Sequence, residues 1–149
     1  VRVSNHDQAG DFEVKVVDLL GVERSPLPIA LRWQAEPTES VRRINRDDSD
    51  VVSVVRVRGR RAIDFLQPAT VGKDRYQRVV TSCDGEADQP DEVGAVLRVF
   101  NRQATGDGRS SHLLRLRFDN GSDTPTPVFE PIVDTASGNG VGTGSNGAV

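Results

Sequence analysis

Few side chains in this sequence could do covalent or metal chemistry. There are two histidines, His6 and His112, and one cysteine, Cys83. Cys83 is followed by Asp84, Glu86 and Asp88, and nearby negative charge raises a thiol's pKa and disfavours the nucleophilic thiolate. His112 falls in register with Leu114 and Leu116, so it reads as a partly buried structural histidine rather than a general base. The chain contains no G-x-S-x-G elbow, no phosphate-cradling glycine loop and no H-E-x-x-H pair. Neither an enzyme nor a cofactor is expected. A single cysteine also excludes an internal disulfide and a cysteine-based zinc cage.

Two acidic stretches are candidates for calcium: Asn45, Asp47, Asp48 and Asp50 in one, and Asp84, Glu86, Asp88, Asp91 and Glu92 in the other. The second sets Asp84, Glu86 and Asp88 at alternate positions, a spacing that can supply several of the oxygens Ca²⁺ takes. It lacks the glycine and closing glutamate of an EF-hand loop. Asp and Asn also favour turns, because their side chains bond the local backbone. Ordinary turn chemistry is therefore the expected reading, with no metal.

The arginines are more informative. Lys15 and Lys73 are the only lysines among 19 cationic residues. Arg56, Arg58, Arg98, Arg102, Arg115 and Arg117 fall on the outward positions of inferred strands. If the last two long strands form a hairpin across residues 103–110, their outward rows become neighbours, with Phe100 and Leu113 among the arginines. Arginine is enriched at interface anchors and stacks on aromatic rings. Arg56, Arg58, Arg60 and Arg61 also crowd four cations into six residues, the density of a polyanion patch. The competing reading is a plain solvated face, since GC-rich coding alone favours arginine and its stem covers apolar surface. The formal charge of -3 and pI near 5.4 argue against a dedicated nucleic-acid binder. Acids are expected in loops and arginines on one sheet face.

These residues must be positioned by strands. Apolar and polar residues alternate over 12–16, 29–33, 93–100 and 112–118, the period-two signature of half-buried β-strands. Less regular runs at 1–5, 51–57, 62–66 and 76–82 also read as strands, and Val128, Phe129 and Ile132 fit one last short strand. Turn residues separate the runs at 7–10, 25–28, 45–50, 84–91 and 106–110. No window keeps a helical apolar stripe, so no long helix is expected. At 149 residues, 36% of them hydrophobic and 28% charged, the chain suits one domain with a real core. It has no apolar run of about eighteen residues that would span a membrane as a helix. After Asp134 the charges stop and Gly138, Gly140, Gly142, Gly144 and Gly147 mark a flexible linker composition.

The opening Val1-Arg2-Val3-Ser4-Asn5 and the following Ala9–Val16 resemble the first hairpin of immunoglobulin-like domains of bacterial surface proteins. Trp33, 17 residues after Val16, is similar to the buried Trp on the third strand of such folds. The resemblance spans residues 1–118. It lacks the cysteine pair of antibody-type domains, so it fits a fibronectin-like or related adhesion-type sandwich better. It implies an all-β fold: an antiparallel immunoglobulin-like β-sandwich of seven to nine strands over residues 1–133, with a flexible Gly-rich C-terminal tail over 134–149. Its inner faces are expected to hold Val3, Phe12, Val14, Val16, Ile29, Leu31, Trp33, Leu97, Val99, Leu114, Leu116 and Phe118.

The resemblance also implies an accessory, spacer or adhesive role. The expected function is a non-enzymatic binding or structural module making protein–protein contacts, with a protein partner or a second copy, in an extracytoplasmic or cell-surface assembly. The alternatives are a polyanion or nucleic-acid binder using Arg56, Arg58, Arg60, Arg61, Arg98, Arg102, Arg115 and Arg117, and a cytoplasmic location. The lack of any Met in a chain that begins at Val1 is expected of a processed chain or of a domain cut from a longer one.

Overall fold

The computed structural model describes residues 1–81, 91–102, 109–118 and 122–132. These are all-β and antiparallel. The strands are β1 (Arg2–Asn5), β2 (Gly10–Leu20), β3 (Ile29–Ala30), β4 (Arg32–Trp33), β5 (Val41–Ile44), β6 (Asp48–Ser53), β7 (Val55–Gly59), β8 (Ala62–Thr70), β9 (Lys73–Val80), β10 (Asp91–Asn101), β11 (Arg109–Phe118) and β12 (Thr126–Ile132). They form three sheets. A small one runs β1-β6-β4, a long one β12-β11-β10-β2 with β3 and β5 sharing the far edge of β2, and a meander runs β7-β8-β9.

The twelve strands exceed the expected seven to nine, and the excess has a physical origin. The run 29–33 keeps its alternation, with Ile29, Leu31 and Trp33 all buried. Its pairing changes at Leu31, however: β3 pairs with β2, and β4 pairs with β6. The run 51–57 likewise passes from β6 to β7 at Val54, moving from one sheet to the next while Val52 and Val54 both stay in the core. The carbonyl of Val54 accepts from the Leu66 amide on β8, which starts the new pairing at the switch itself. The third extra strand, β5, occupies four residues whose central Arg42-Arg43 break any alternation, and it pairs with the start of β2.

All twelve residues expected on inner faces are buried, and they join Ile44, Val52, Ile63, Phe65, Val79, Val93 and Ala95 in one core. Trp33 satisfies its indole by donating Nε1–H to the carbonyl of Ser40 at 2.9 Å, as a buried Trp needs. Asn5, also buried, donates Nδ2 to the carbonyls of Gln8 and Ile44 and accepts from the Asp7 amide, tying the end of β1 to β5. Where β8 carries Pro68, which has no N–H to offer a ladder, the β8–β9 register slips between Gln67 and Thr70. The predicted tail, residues 134–149, lies outside the described residues.

Candidate functional site

On β8, Ile63 and Phe65 point into the core, which turns Asp64 outward; yet the Asp64 side chain has no exposure at all. The register explains this. Arg56 on β7 and Arg78 on β9 stand directly opposite Asp64 on either side. Arg58 sits where the β7–β8 register slips, between Val57 and Gly59. Arg58 Nε donates to Asp64 Oδ2 at 2.8 Å and Arg78 Nε to Oδ1 at 2.9 Å, with Arg56 Nη2 farther off at 3.4 Å. Burial by itself raises the Asp64 carboxyl, but the hydrogen bonds and charges of Arg78 and Arg58 hold it below the ordinary carboxylate value.

Tyr76 on β9 lies beside this row, and the guanidinium carbons of Arg56 and Arg78 sit 5.1 and 5.4 Å from its ring centroid. Asp74 extends the network. It binds Arg32 Nη2 at 2.7 Å and Arg56 Nη1 at 3.1 Å, and those two contacts lower its pKa. Arg32 is fixed in turn by donating to the carbonyls of Gln67 and Arg75. Four arginines thus share two carboxylates on the outer face of the meander, leaving it cationic.

The remaining predicted residues gather elsewhere. Antiparallel pairing of β10 with β11 puts Arg98, Phe100, Leu113, Arg115 and Arg117 on the outer face of the long sheet, and Arg102 follows the end of β10. The expected hairpin pairing is therefore present, although residues 103–108 of its connection lie outside the described residues. Arg56 and Arg58 are on a different sheet, so one continuous arginine face does not form: among the described residues β7 pairs with β8, and β10 with β11 and β2.

Nor are acids confined to loops. Arg115 lies 3.4 Å from Glu92 and 3.3 Å from Glu130, Lys15 lies 3.7 Å from Glu13, and Arg102 lies 3.8 Å from the same Glu13. Lys15 also covers the ring of Phe100. This face is close to charge-balanced. It carries apolar side chains as well: Leu20, Val128 and Ile132 are 53, 46 and 41% exposed. Gly94 lies in the row Leu20–Gly94–Arg115–Val128. Its missing side chain lets Leu20 and Leu113 close over β10: a Cβ there would stand 3.3 Å from Leu20 and 3.5 Å from Leu113.

His112 is buried, stacked on Phe129 and without a hydrogen-bond partner on Nε2. Of the first acidic stretch, Asp50 is taken by Arg42 at 2.7 Å, while Asp48 and Asp50 each accept from the next residue's amide. Asp47 occupies a left-handed turn position. No cluster of three or more metal-binding side chains occurs among the described residues. Cys83, Asp84, Glu86 and Asp88 lie outside them. No helix there is long and apolar enough to cross a membrane. No protein-family model, no curated protein and no solved structure matches this chain.

Sequence reasoning missed Asp64, Arg78, Leu20 and Val128. A lone aspartate between Ile63 and Phe65 was the available signal for Asp64, since its outward position is opposed by cationic strands on both sides.

Proposed function

We propose that the protein is a non-enzymatic binding module with an immunoglobulin-like β-sandwich architecture, making protein–protein contacts within a larger extracytoplasmic or cell-surface assembly. The contact face is the outer side of β12-β11-β10-β2. The observation that carries this reading is the exposure of Leu20 and Val128 on either side of Gly94 and Arg115 in one cross-strand row. Exposed apolar side chains flanking an arginine fit a protein contact surface, in which aromatic residues, Met and Arg are enriched.

The test compares wild type with Leu20→Lys/Val128→Lys, in sedimentation across a wide concentration range and as bait for partners. Self-association, or a partner held by wild type, should be lost in the double variant while the fold is retained. Equal association by both proteins would overturn the assignment of this face. The alternative, polyanion binding, draws its support from the other sheet, where three half-exposed arginines share one carboxylate.

A further inference from the structure

We infer that Arg58 and Arg78 form a binding site for the sulfate groups of an anionic polysaccharide on the outer face of β7-β8-β9. The inference rests on the polyanion alternative and is independent of the face on the long sheet. Both guanidinium groups are fixed by the same buried anion. Each spends its Nε on Asp64, and Arg78 adds Nη2 at 3.4 Å. Nη1 and Nη2 of Arg58 and Nη1 of Arg78 have no acceptor among the described residues, and the two side chains are 46 and 47% exposed. Their strands flank β8, so the backbones stand about 10 Å apart while the side chains converge on one carboxylate.

Asp64 therefore does two things. It offsets the repulsion that would otherwise drive the guanidiniums apart, and it leaves their outer edges facing solvent as oriented donors. Fixing donors before the ligand arrives lowers the ordering cost of binding, and the planar guanidinium edge matches tetrahedral oxyanions in bidentate geometry.

The surroundings select among polyanions. A nucleic acid gains much of its single-strand affinity by stacking bases on aromatic rings. The aromatic beside this site, Tyr76, already has the guanidiniums of Arg56 and Arg78 against its ring. An acidic peptide presents carboxylates on mobile stems, each of which must be ordered at a cost. Sulfates on stiff sugar rings hold a fixed spacing that suits two fixed cations.

Retention on a heparin column at about 50 mM salt, with titration of a sulfated oligosaccharide, tests the site. Single-stranded DNA and polyglutamate serve as comparison ligands. Wild type should bind the sulfated ligand more tightly than either. Arg58→Gln/Arg78→Gln should bind it at least about tenfold more weakly. Arg24→Gln/Arg46→Gln, which removes the same charge from exposed positions, should match wild type.

Because the glutamine pair also strips partners from Asp64, Arg58→Lys/Arg78→Lys is measured beside it. It keeps the charge and an ion pair but not the fork, and it too should bind more weakly. No retention of wild type overturns both the site and the polyanion alternative. Retention that is unchanged in the Arg58 and Arg78 variants overturns the site alone. DNA or polyglutamate bound as tightly as the sulfated ligand overturns the ligand assignment.

Discussion

The imidazole of His112 stacks on the ring of Phe129, with centroids 5.1 Å apart and planes 11° from parallel. This contact joins β11 to β12, an edge strand whose only sheet partner among the described residues is β11. The surroundings favour the neutral imidazole, because its Nε2 is buried without a hydrogen-bond partner and burial pushes its pKa below the ordinary histidine value.

Stability should therefore fall in mild acid. A histidine with a depressed folded-state pKa contributes stability that is present above its unfolded value of about 6.5 and is lost as pH drops through the folded value. For one proton the slope is at most about 1.4 kcal/mol per pH unit. Urea unfolding of wild type between pH 7.5 and pH 5, beside His112→Leu, isolates the imidazole from groups that titrate in both proteins. A flatter profile is expected for His112→Leu; parallel profiles would show that the buried ring is not the cause.

Removing the carboxylate at Asp64 should destabilise the meander. Deleting one partner of a fully buried ion pair costs about 3–5 kcal/mol. Here the arginines are half-exposed and water screens them, so Asp64→Asn is expected to cost about 2–3 kcal/mol. Loss of any one arginine should cost less, since two remain. The lowered Asp64 pKa gives the pH signature. Its contribution is present above the unfolded value of about 3.9 and disappears as pH falls below it. Wild type and Asp64→Asn should therefore converge in stability in acid. A constant gap from pH 7 to pH 2 would refute the ion-pair origin.

How much of this was legible in the sequence depends on what alternation can report. Alternation records which face a residue takes, so the burial of Phe12, Val14, Val16, Leu114, Leu116 and Phe118 was readable. It does not record which strand lies alongside. At Leu31 the inward rhythm continues without a break while the hydrogen-bonding partner changes; at Val54 it slips by one residue, from Val52 and Val54 to Val55 and Val57, as the chain enters the next sheet, so two runs became four strands. The same blindness pooled Arg56 and Arg58 with Arg98 and Arg115. All four point outward, but from two sheets. Asp64 was hidden for a related reason: only the pairing of β8 with both β7 and β9 turns an isolated acid into the centre of a cluster.

The turn that ends β2 should be intolerant of any side chain. Gly21 has φ of 71°, and a Cβ there would come within 2.3 Å of the Glu92 carbonyl oxygen on β10. Gly72, between β8 and β9, has nearly the same φ of 73° with nothing within 4 Å. Gly72→Ala should then cost only the left-handed strain, about 1–2 kcal/mol. Gly21→Ala adds a backbone collision that no rotamer can relieve and should cost about 3 kcal/mol or more. Thermal or urea unfolding of the two variants checks the ranking. Equal losses would mean that strain alone governs both turns.

The outer strand should resist edge-to-edge association because of its prolines. β12 begins Thr126-Pro127 and ends Pro131-Ile132, and Pro127 and Pro131 stand opposite Leu116 and His112 on β11. Unpaired strand edges recruit further strands, and proline blunts them because it has no N–H to donate. With Val128 and Ile132 exposed on its outer face, this edge would otherwise combine open hydrogen-bonding groups with apolar surface. Pro127→Thr/Pro131→Thr supplies two N–H groups and two residues that favour strands. The double variant should keep the fold yet form strand-paired aggregates, seen as rising light scattering and thioflavin fluorescence at concentrations where wild type stays clear. Leu20→Lys/Val128→Lys added to it separates two causes. If the lysines abolish the aggregates, the apolar face drives them; if they persist, the exposed backbone edge does, as the proline argument requires.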